Sequence, residues 1–257
     1  MVNINDFNSE AEYYDLFEKK NQFLFEHIID YLTEVFNENG AKNILDFTCG
    51  TGAQAIPLSK KGFAVTGSDI ADNLLKIAKS KSRNLPNISF RSGDVRYSKF
   101  GEFDAVISML NSLGYLKKPD LKKALLNINK NLKIGGLFVF DNTNKDCLNK
   151  GNFIKEKIID TAGDDNGIKF VRFSKSKYNN KSGTITTKWE AMVQKGFTKP
   201  INKWGVWKRQ VYSKREIEDI FSKTGFKLDR ILDRNLNKFD PNNSFSYLIL
   251  GRKKDNL

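Results

Sequence analysis

From Asn43 to Asp141 short apolar runs alternate with amphipathic helical stretches, and this alternation constrains the fold more than any other feature. Strands separated by helices cannot pair as hairpins; they build a parallel sheet with helices on both faces. The runs are 43–47, 63–69, 88–91, 103–109 and 137–141. Between them lie a helix through Ile56, Leu58 and Lys61, one from Ala71 to Arg83 that buries Leu74, Leu75, Ile77 and Ala78, and one from Pro119 to Leu132. Proline suits a first helical turn, and Gly135-Gly136 stops the last of these helices.

The flanks read differently. Phe25, Ile28, Ile29, Leu32 and Phe36 recur at three- and four-residue spacing and predict a helix ending at Asn39-Gly40. His27, the only histidine, falls off that stripe and reads as a surface residue. Beyond Asp141, residues 150–212 alternate polar and apolar, with turn signals at Asp164-Asp165-Asn166-Gly167 and Asn179-Asn180-Lys181-Ser182-Gly183, which predicts an inserted antiparallel meander. Ser213 with Glu216 three residues on is a capping box opening a helix to Thr224-Gly225. Strands near 226–233 and 245–252 finish the chain. The whole reads as a single domain over 1–257: a helical cap (1–42), a core (43–149), a β insert (150–212) and a terminal helix with a strand pair (213–257).

With 257 residues, 39% of them hydrophobic, the chain can bury a real core, and no apolar run approaches the roughly 20 residues that span a bilayer. The start has neither a basic nor an apolar signal region, so the expected compartment is the cytoplasm, and Cys49 and Cys147 read as reduced thiols. The net charge of +13 is regional: −6 over 1–42, +7 over 43–141 and +12 over 142–257, with 14 Lys and Arg against 5 acids in 150–212. Only nine of the 43 basic residues are Arg, so much of the lysine reads as a solvated surface.

Gly50-Thr51-Gly52, after a strand and opening a helix, forms a turn where backbone can approach an anionic ligand. Gly50-x-Gly52-x-x-Ala55, with Asp69 beyond it to hold a ribose, also satisfies the relaxed dinucleotide fingerprint, which makes a NAD(P)-binding enzyme a rival. Three features count against that rival. Asp46 sits where a dinucleotide strand runs apolar, a second acid follows the third strand in Gly93-Asp94-Val95, and the fourth strand ends in the turn from Met109 to Leu116. Ligands of open α/β sheets sit at such a carboxyl edge.

At this point the chain resembles the class I S-adenosylmethionine-dependent methyltransferases. Asp46-Phe47-Thr48-Cys49-Gly50-Thr51-Gly52 is similar to their first motif, Asp69 to the acid ending the second strand, Asp94-Val95 to the adenine-binding pair, and 132–136 to the helix end before strand five. The resemblance runs motif by motif over about 12–141 and in element order over 213–252. It implies a seven-stranded doubly wound (Rossmann-like) sheet, mostly parallel with a reversed last strand, plus the antiparallel β insert between strand five and the last helix. Tyr14-Asp15, Ser112-Leu113-Gly114-Tyr115-Leu116 and the meander further resemble the small-molecule N-methyltransferases, among them the glycine/sarcosine and nucleotide amino-sugar enzymes.

The resemblance implies S-adenosyl-L-methionine as cofactor and assigns roles. Asp69, with Ile70 beside it, would take the ribose hydroxyls, Asp94 the adenine amino group and the Val95 N–H a ring nitrogen. Thr48, Gly50 and Gly52 would admit the methionine end, a carbonyl of Met109 or Leu110 would meet its ammonium, and Tyr14 would lie against it. Asp46 fits a structural carboxylate under the glycine loop as well as a cofactor contact, and Tyr14 and Tyr115 fit ordinary packing as well as the site. Methyl transfer from a sulfonium needs alignment and a dry site more than an acid, so Tyr14, Asn111 and Tyr115 are expected to position the acceptor.

Arg172, Trp189, Trp207 and Arg209 in the insert are the expected acceptor-binding residues, the tryptophans fitting packing of the meander equally well. The basic insert points to a small anionic acceptor, with N-methylation favoured over O-methylation. RNA is the alternative. Asn111-Ser112-Leu113-Gly114 stands where base-amine methyltransferases carry an (Asn/Asp)-Pro-Pro-(Tyr/Phe) turn, and this counts against it. Asp141-Asn142 is similar to the acid-amide pair of metal-dependent catechol enzymes, but Asn111 stands where their further acid is expected, so no metal is expected. The expected partners are the small-molecule acceptor and no membrane, the chain being a monomer or a homodimer.

Overall fold

A computed structural model describes residues 6–19, 22–151 and 156–255, for residues 22–25 the backbone alone. Phe25 of the predicted stripe therefore lies outside the described side chains. The five core strands are β1 (Asn43–Asp46), β2 (Ala64–Asp69), β3 (Ile88–Ser92), β4 (Phe103–Ser108) and β5 (Leu132–Thr143). Helices α3 (Ala55–Lys60), α4 (Asp72–Lys81) and α5 (Lys118–Lys130) connect them. With β10 (Phe226–Asp233) and β11 (Ser246–Lys253) they form one seven-stranded sheet, ordered β10-β11-β5-β4-β1-β2-β3. The contacts within β3-β2-β1-β4-β5 are parallel, and β11 runs antiparallel to both its neighbours, so the reversed last strand is present.

Alternation along each strand explains two cores. Ile44, Ile107 and Val139 face one side, where α2 (Gln22–Glu38) brings Ile28, Ile29, Leu32 and Phe36. Leu45, Val106, Phe138 and Phe140 face the other, against Leu121, Leu125 and Ile128 of α5 and Ile217 and Phe221 of α7 (Lys214–Ser222). Each of these side chains contributes about 1.5–3 kcal/mol when fully buried. The predicted capping box opens α7: the Glu216 N–H donates to Ser213 Oγ at 3.1 Å and the Ser213 N–H to Glu216 Oε2 at 2.9 Å.

Two boundaries differ from the sequence reading. The helix before β5 ends at Lys130, and β5 begins at Leu132 and runs through Gly135, whose φ of 73° makes a bend rather than a stop. The cap is two helices. α1 (Phe7–Glu18) precedes α2, and its narrow apolar stripe packs on the insert.

The insert is a separate four-stranded antiparallel sheet, β6 (Ile158–Asp165), β7 (Ile168–Asn179), β8 (Thr184–Lys195) and β9 (Ile201–Gln210), reached through the short α6 (Lys145–Asn149). Its inner face presents Phe170, Trp189, Ala191 and Val193 to Tyr13 and Phe17 of α1. Ion pairs hold α1 in place, Lys195 to Glu12 at 2.7 Å and Lys81 to Asp15 at 2.9 Å, and Thr51 Oγ1 donates to Asp15 at 2.6 Å. The helix thus ties the insert to the glycine loop. Cys49 and Cys147 are buried thiols outside any disulfide, and His27 is exposed. Among the described residues no helix is long and apolar enough to cross a membrane.

Candidate active site

The strand order reverses between β1 and β4, and outside their carboxyl ends lies a cavity of about 890 Å³. Such a switch point leaves a crevice because the connections leave the sheet on opposite faces. The loop after β1 supplies Thr48 and Gly50, the end of β2 Asp69 and Ile70, the loop after β3 Asp94 and Val95, and the end of β4 Met109, Leu110 and Asn111. Tyr14 of α1 and Tyr115 close one side, and Arg172, Trp207 and Arg209 of the insert another. Elements far apart in sequence thus converge on one chamber.

Asp69 organises the first wall. Its Oδ2 accepts the Gly50 N–H and its Oδ1 the Ala71 N–H, each at 2.9 Å, locking the glycine loop to the end of β2. Burial raises its pKa, and those backbone donors oppose the rise. A carboxylate has about four acceptor sites, so both oxygens keep capacity for further donors. Gly50 and Gly52 hold φ of 51° and 86°, so the turn needs glycine at both positions on conformation, and a Cβ on Gly52 would also press on Ile56.

Asp46 and Gly52 lie behind the wall rather than on it. Asp46 is fully buried beneath the loop, with neither carboxylate oxygen completing a hydrogen bond. Burial, with the nearby Asp69 charge adding, lifts its pKa to about 7, and the approaching Thr48 and Ala55 N–H groups only partly offset this. Asp94 is engaged by Arg96, whose Nη2 lies 2.6 Å from Oδ2, and this holds the carboxyl below its usual range.

The end of β4 is strained. Leu110 and Asn111 take φ of 62° and 57° in succession, a left-handed conformation costly for side-chain-bearing residues. Two contacts hold it: the Asn111 N–H donates to Asp141 Oδ1 at 2.9 Å, and Asn111 Nδ2 to Thr143 Oγ1 at 2.9 Å. Ser112 Oγ donates to the Met109 carbonyl at 2.6 Å. Asp141, at the carboxyl end of β5, lines the cavity, and burial raises its pKa to about 6 against the opposing pull of Asn111, Arg234 and Arg209. Burial also pushes the Tyr115 phenol up to about 12 and that of Tyr14 well above the ordinary value, so both are neutral donors.

On the insert side Arg172 is buried, its guanidinium centred 4.9 Å from the rings of both Phe17 and Trp207. Its Nε donates to Asp160 Oδ2 at 2.6 Å and its Nη2 lies 3.6 Å from Glu18. Arg172 is thereby spent on tying α1 to the insert. Trp189 does not line the cavity; it packs on Phe17 and Trp207. Arg209 lines the wall with a buried Nε that has no partner, and its charge acts on both Tyr115 and Asp141.

The charge of the wall differs from that of the insert. Glu18, Asp69, Asp94, Asp141, Glu156 and Asp160 face Arg96, Arg172, Arg209 and Arg234, with no lysine among the described lining residues. Strand alternation places Lys169, Lys175, Lys177 and Lys188 of β7 and β8 on the opposite face of the sheet, and Lys195 is held by Glu12 of α1 outside the cavity. Sequence reasoning missed Asp141, Glu18, Asp160 and Arg234 as lining residues. Only Asp141 carried a usable signal, an acid at the carboxyl end of a central strand.

Residues 44–136, which carry the strand–glycine-loop–helix unit and the β4 turn, match the family described as "Methyltransferase domain". The glycine/sarcosine N-methyltransferase of Parasynechococcus marenigrum is 36% identical over 127 residues, 48% of this chain and 45% of that one. This chain spans somewhat under half the length of the curated relatives it matches. Among solved structures, an S-adenosylmethionine-dependent methyltransferase from Clostridium acetobutylicum matches with a TM-score of 0.77 at 20% identity, over 90% of this chain and 92% of that one. The sugar N-methyltransferase KedS8 from Streptoalloteichus matches with a TM-score of 0.76 at 20% identity, over 94% and 93%. Residues 44–136 thus match the methyltransferase-domain family, in a chain that shares the fold of solved S-adenosylmethionine-dependent methyltransferases.

Proposed function

We propose that the chain is an S-adenosylmethionine-dependent methyltransferase that methylates the nitrogen of a small acceptor carrying an anionic or hydrogen-bond-accepting group. The observation that carries this reading is the division of one cavity into two chemically distinct walls. The wall built by Gly50, Asp69, Asp94 and Val95 suits a nucleoside with an amino-acid tail, and the wall built by Asn111, Tyr115, Asp141 and Arg209 suits a polar acceptor. A volume near 890 Å³ is at the upper end of small-molecule sites, enough for two ligands together.

The residues present fit the cofactor. Asp69 keeps acceptor capacity on both oxygens for a pair of ribose hydroxyls, and the left-handed Gly50 removes the side chain that would keep a ligand off the loop backbone. Thr48, Met109 and Leu110 would flank the methionine end, and Tyr14 would cover it. When bound, the cofactor supplies an electrophilic methyl group on a sulfonium. Everything else falls to the chain: holding the acceptor in line, excluding water and leaving its nitrogen lone pair free.

An amine reaches such a site protonated. Asp141, beside the β4 turn and ionised at neutral pH, would accept that proton on a carboxylate oxygen, while Tyr115 and Asn111 orient the nitrogen. Arg209 Nε would donate to the acceptor's anionic or carbonyl group. The names of the relatives, a glycine/sarcosine N-methyltransferase and a sugar N-methyltransferase, support a small amine. The test is methyl transfer from labelled S-adenosylmethionine to glycine, sarcosine, nucleotide-linked amino sugars and bulk RNA. Turnover of a small amine with none on RNA is expected; turnover of RNA alone would reject the small-molecule reading.

A further inference from the structure

Two leucines hold a backbone conformation that leucine rarely takes. Among the described residues four non-glycine residues have a positive φ: Asn111 and Asn166, of a type that tolerates it, and Leu110 and Leu236, at 62° and 64°. Both leucines line the cavity, and both pack against the same core cluster. Leu110 follows β4, whereas Leu236 comes from the distant turn between β10 and β11. There the Leu236 N–H donates to the Asp233 carbonyl at 3.1 Å, and Asp233 Oδ1 accepts the N–H groups of Asn235 and Asn237 at 2.8 and 2.9 Å. The turn is thus fixed by its own hydrogen bonds in the form that sets an apolar side chain on the cavity wall. Strain of this kind persists where the surrounding structure over-determines it, and it collects at ligand-binding sites.

Strand pairing carries the apolar surface up to the carboxylate assigned to the acceptor's proton. β5 and β11 set Leu248 directly opposite Asp141, so the two side chains share a face with Cβ atoms about 5 Å apart. Ile28 of α2 and Leu248 belong to the cluster on which Leu110 and Leu236 pack, and both reach the cavity. Phe245, just before β11, lines the cavity at 48% exposure. A metabolite as small and polar as glycine would leave this hydrocarbon against water, which is unfavourable.

We propose that the acceptor is an alkyl or aryl amine, its carbon skeleton apolar next to the nitrogen, and that Ile28, Leu110, Leu236, Phe245 and Leu248 form the shelf that seats it. Asp141 holds the ammonium at the edge of that shelf. The inference rests on the methyltransferase reading above and narrows its acceptor from any small amine to an apolar one.

Calorimetry of n-alkylamines, from ethylamine to pentylamine, with the protein saturated in S-adenosylhomocysteine tests it. These probes carry only an ammonium and a tail, so the result does not depend on what Arg209 binds. Affinity is expected to rise about fourfold for each methylene added, as full burial of a CH₂ gives. Leu236→Asn suits a left-handed turn, and Phe245→Ser changes a half-exposed position, so each is expected to fold and to keep S-adenosylhomocysteine binding. Each is also expected to weaken pentylamine by about fivefold or more and ethylamine by less than about twofold. With S-adenosylhomocysteine bound, a flat series, no binding of pentylamine, or a rise unchanged in both variants would overturn this inference alone. No binding of S-adenosylhomocysteine would overturn the methyltransferase reading and the inference with it.

Discussion

Asp69 and Asp141 are both buried carboxylates on the cavity wall, yet their surroundings give them different work. Asp69 accepts one backbone N–H on each oxygen and stays an acceptor with spare capacity. Replacing it by alanine should weaken S-adenosylhomocysteine binding by about 1–3 kcal/mol for each charged hydrogen bond lost, read by calorimetry. An unchanged affinity would mean that the ribose lies elsewhere. Asp141, raised to about 6, is charged at neutral pH and loses its charge as pH falls through that value. Methyl transfer to an amine should therefore decline below pH of about 6, and Asp141→Asn should lower turnover by about 10²–10⁴-fold and abolish that acidic limb. A limb that persists in Asp141→Asn would assign it to another group. The spacing of glycines and acids made Asp69 legible because its partners, Gly50 and Ala71, lie close in sequence or across adjacent strands. Arg209 reaches the same cavity from a distant insert, and the sequence could suggest its type but not its neighbours.

Helix α1 is the element whose role was least visible in the sequence. Its apolar residues are few, and most of what it contributes is acidic contacts to basic residues of other elements: Glu12 to Lys195, Asp15 to Lys81 and Glu18 to Arg172. Buried Arg172 joins α1 to Asp160 of β6, so Arg172→Leu, which removes the buried charge paired with Asp160 and Glu18, should destabilise the fold by about 3 kcal/mol in a urea titration. Glu10 accepts from Trp207 Nε1 at 3.0 Å, and burial raises its pKa to about 7. It binds its proton more tightly folded than unfolded, so docking of α1 weakens as pH rises from about 4.5 to 7. Hydrogen exchange of α1 amides should quicken over that window, and Glu10→Gln should flatten the trend. Equal slopes in both proteins would exclude Glu10 as the cause. The core strands and helices were legible because their periodicities are local. The extension of β5 past Gly135 was not, because pairing with β4 and β11 decides it.

At the scale of the molecule, three carboxyls buried in the folded state, Glu10, Asp46 and Asp141, have raised pKa values near 7, 7 and 6. Above the range where lowered carboxyls such as Glu216 titrate, the folded protein therefore binds more protons than the unfolded chain, between pH of about 5 and 7, and global stability should fall as pH rises through that window. Urea midpoints at pH 5 and pH 7 check this, and a higher midpoint at pH 7 would contradict it. The net charge of +13 also takes a different meaning at this scale. The described lysines of the insert lie off the cavity wall, which carries six acids and four arginines. Charge counted along a chain cannot tell one face of a strand from the other, and that is why the acceptor chemistry had to be read from side chains in place. Binding of S-adenosylmethionine against the wall around Asp69 underlies every role assigned to the cavity, and calorimetry against S-adenosylhomocysteine and NADH tests it most directly. It predicts saturable binding of S-adenosylhomocysteine that weakens in Asp69→Ala and no heat with NADH; binding of NADH alone would contradict it.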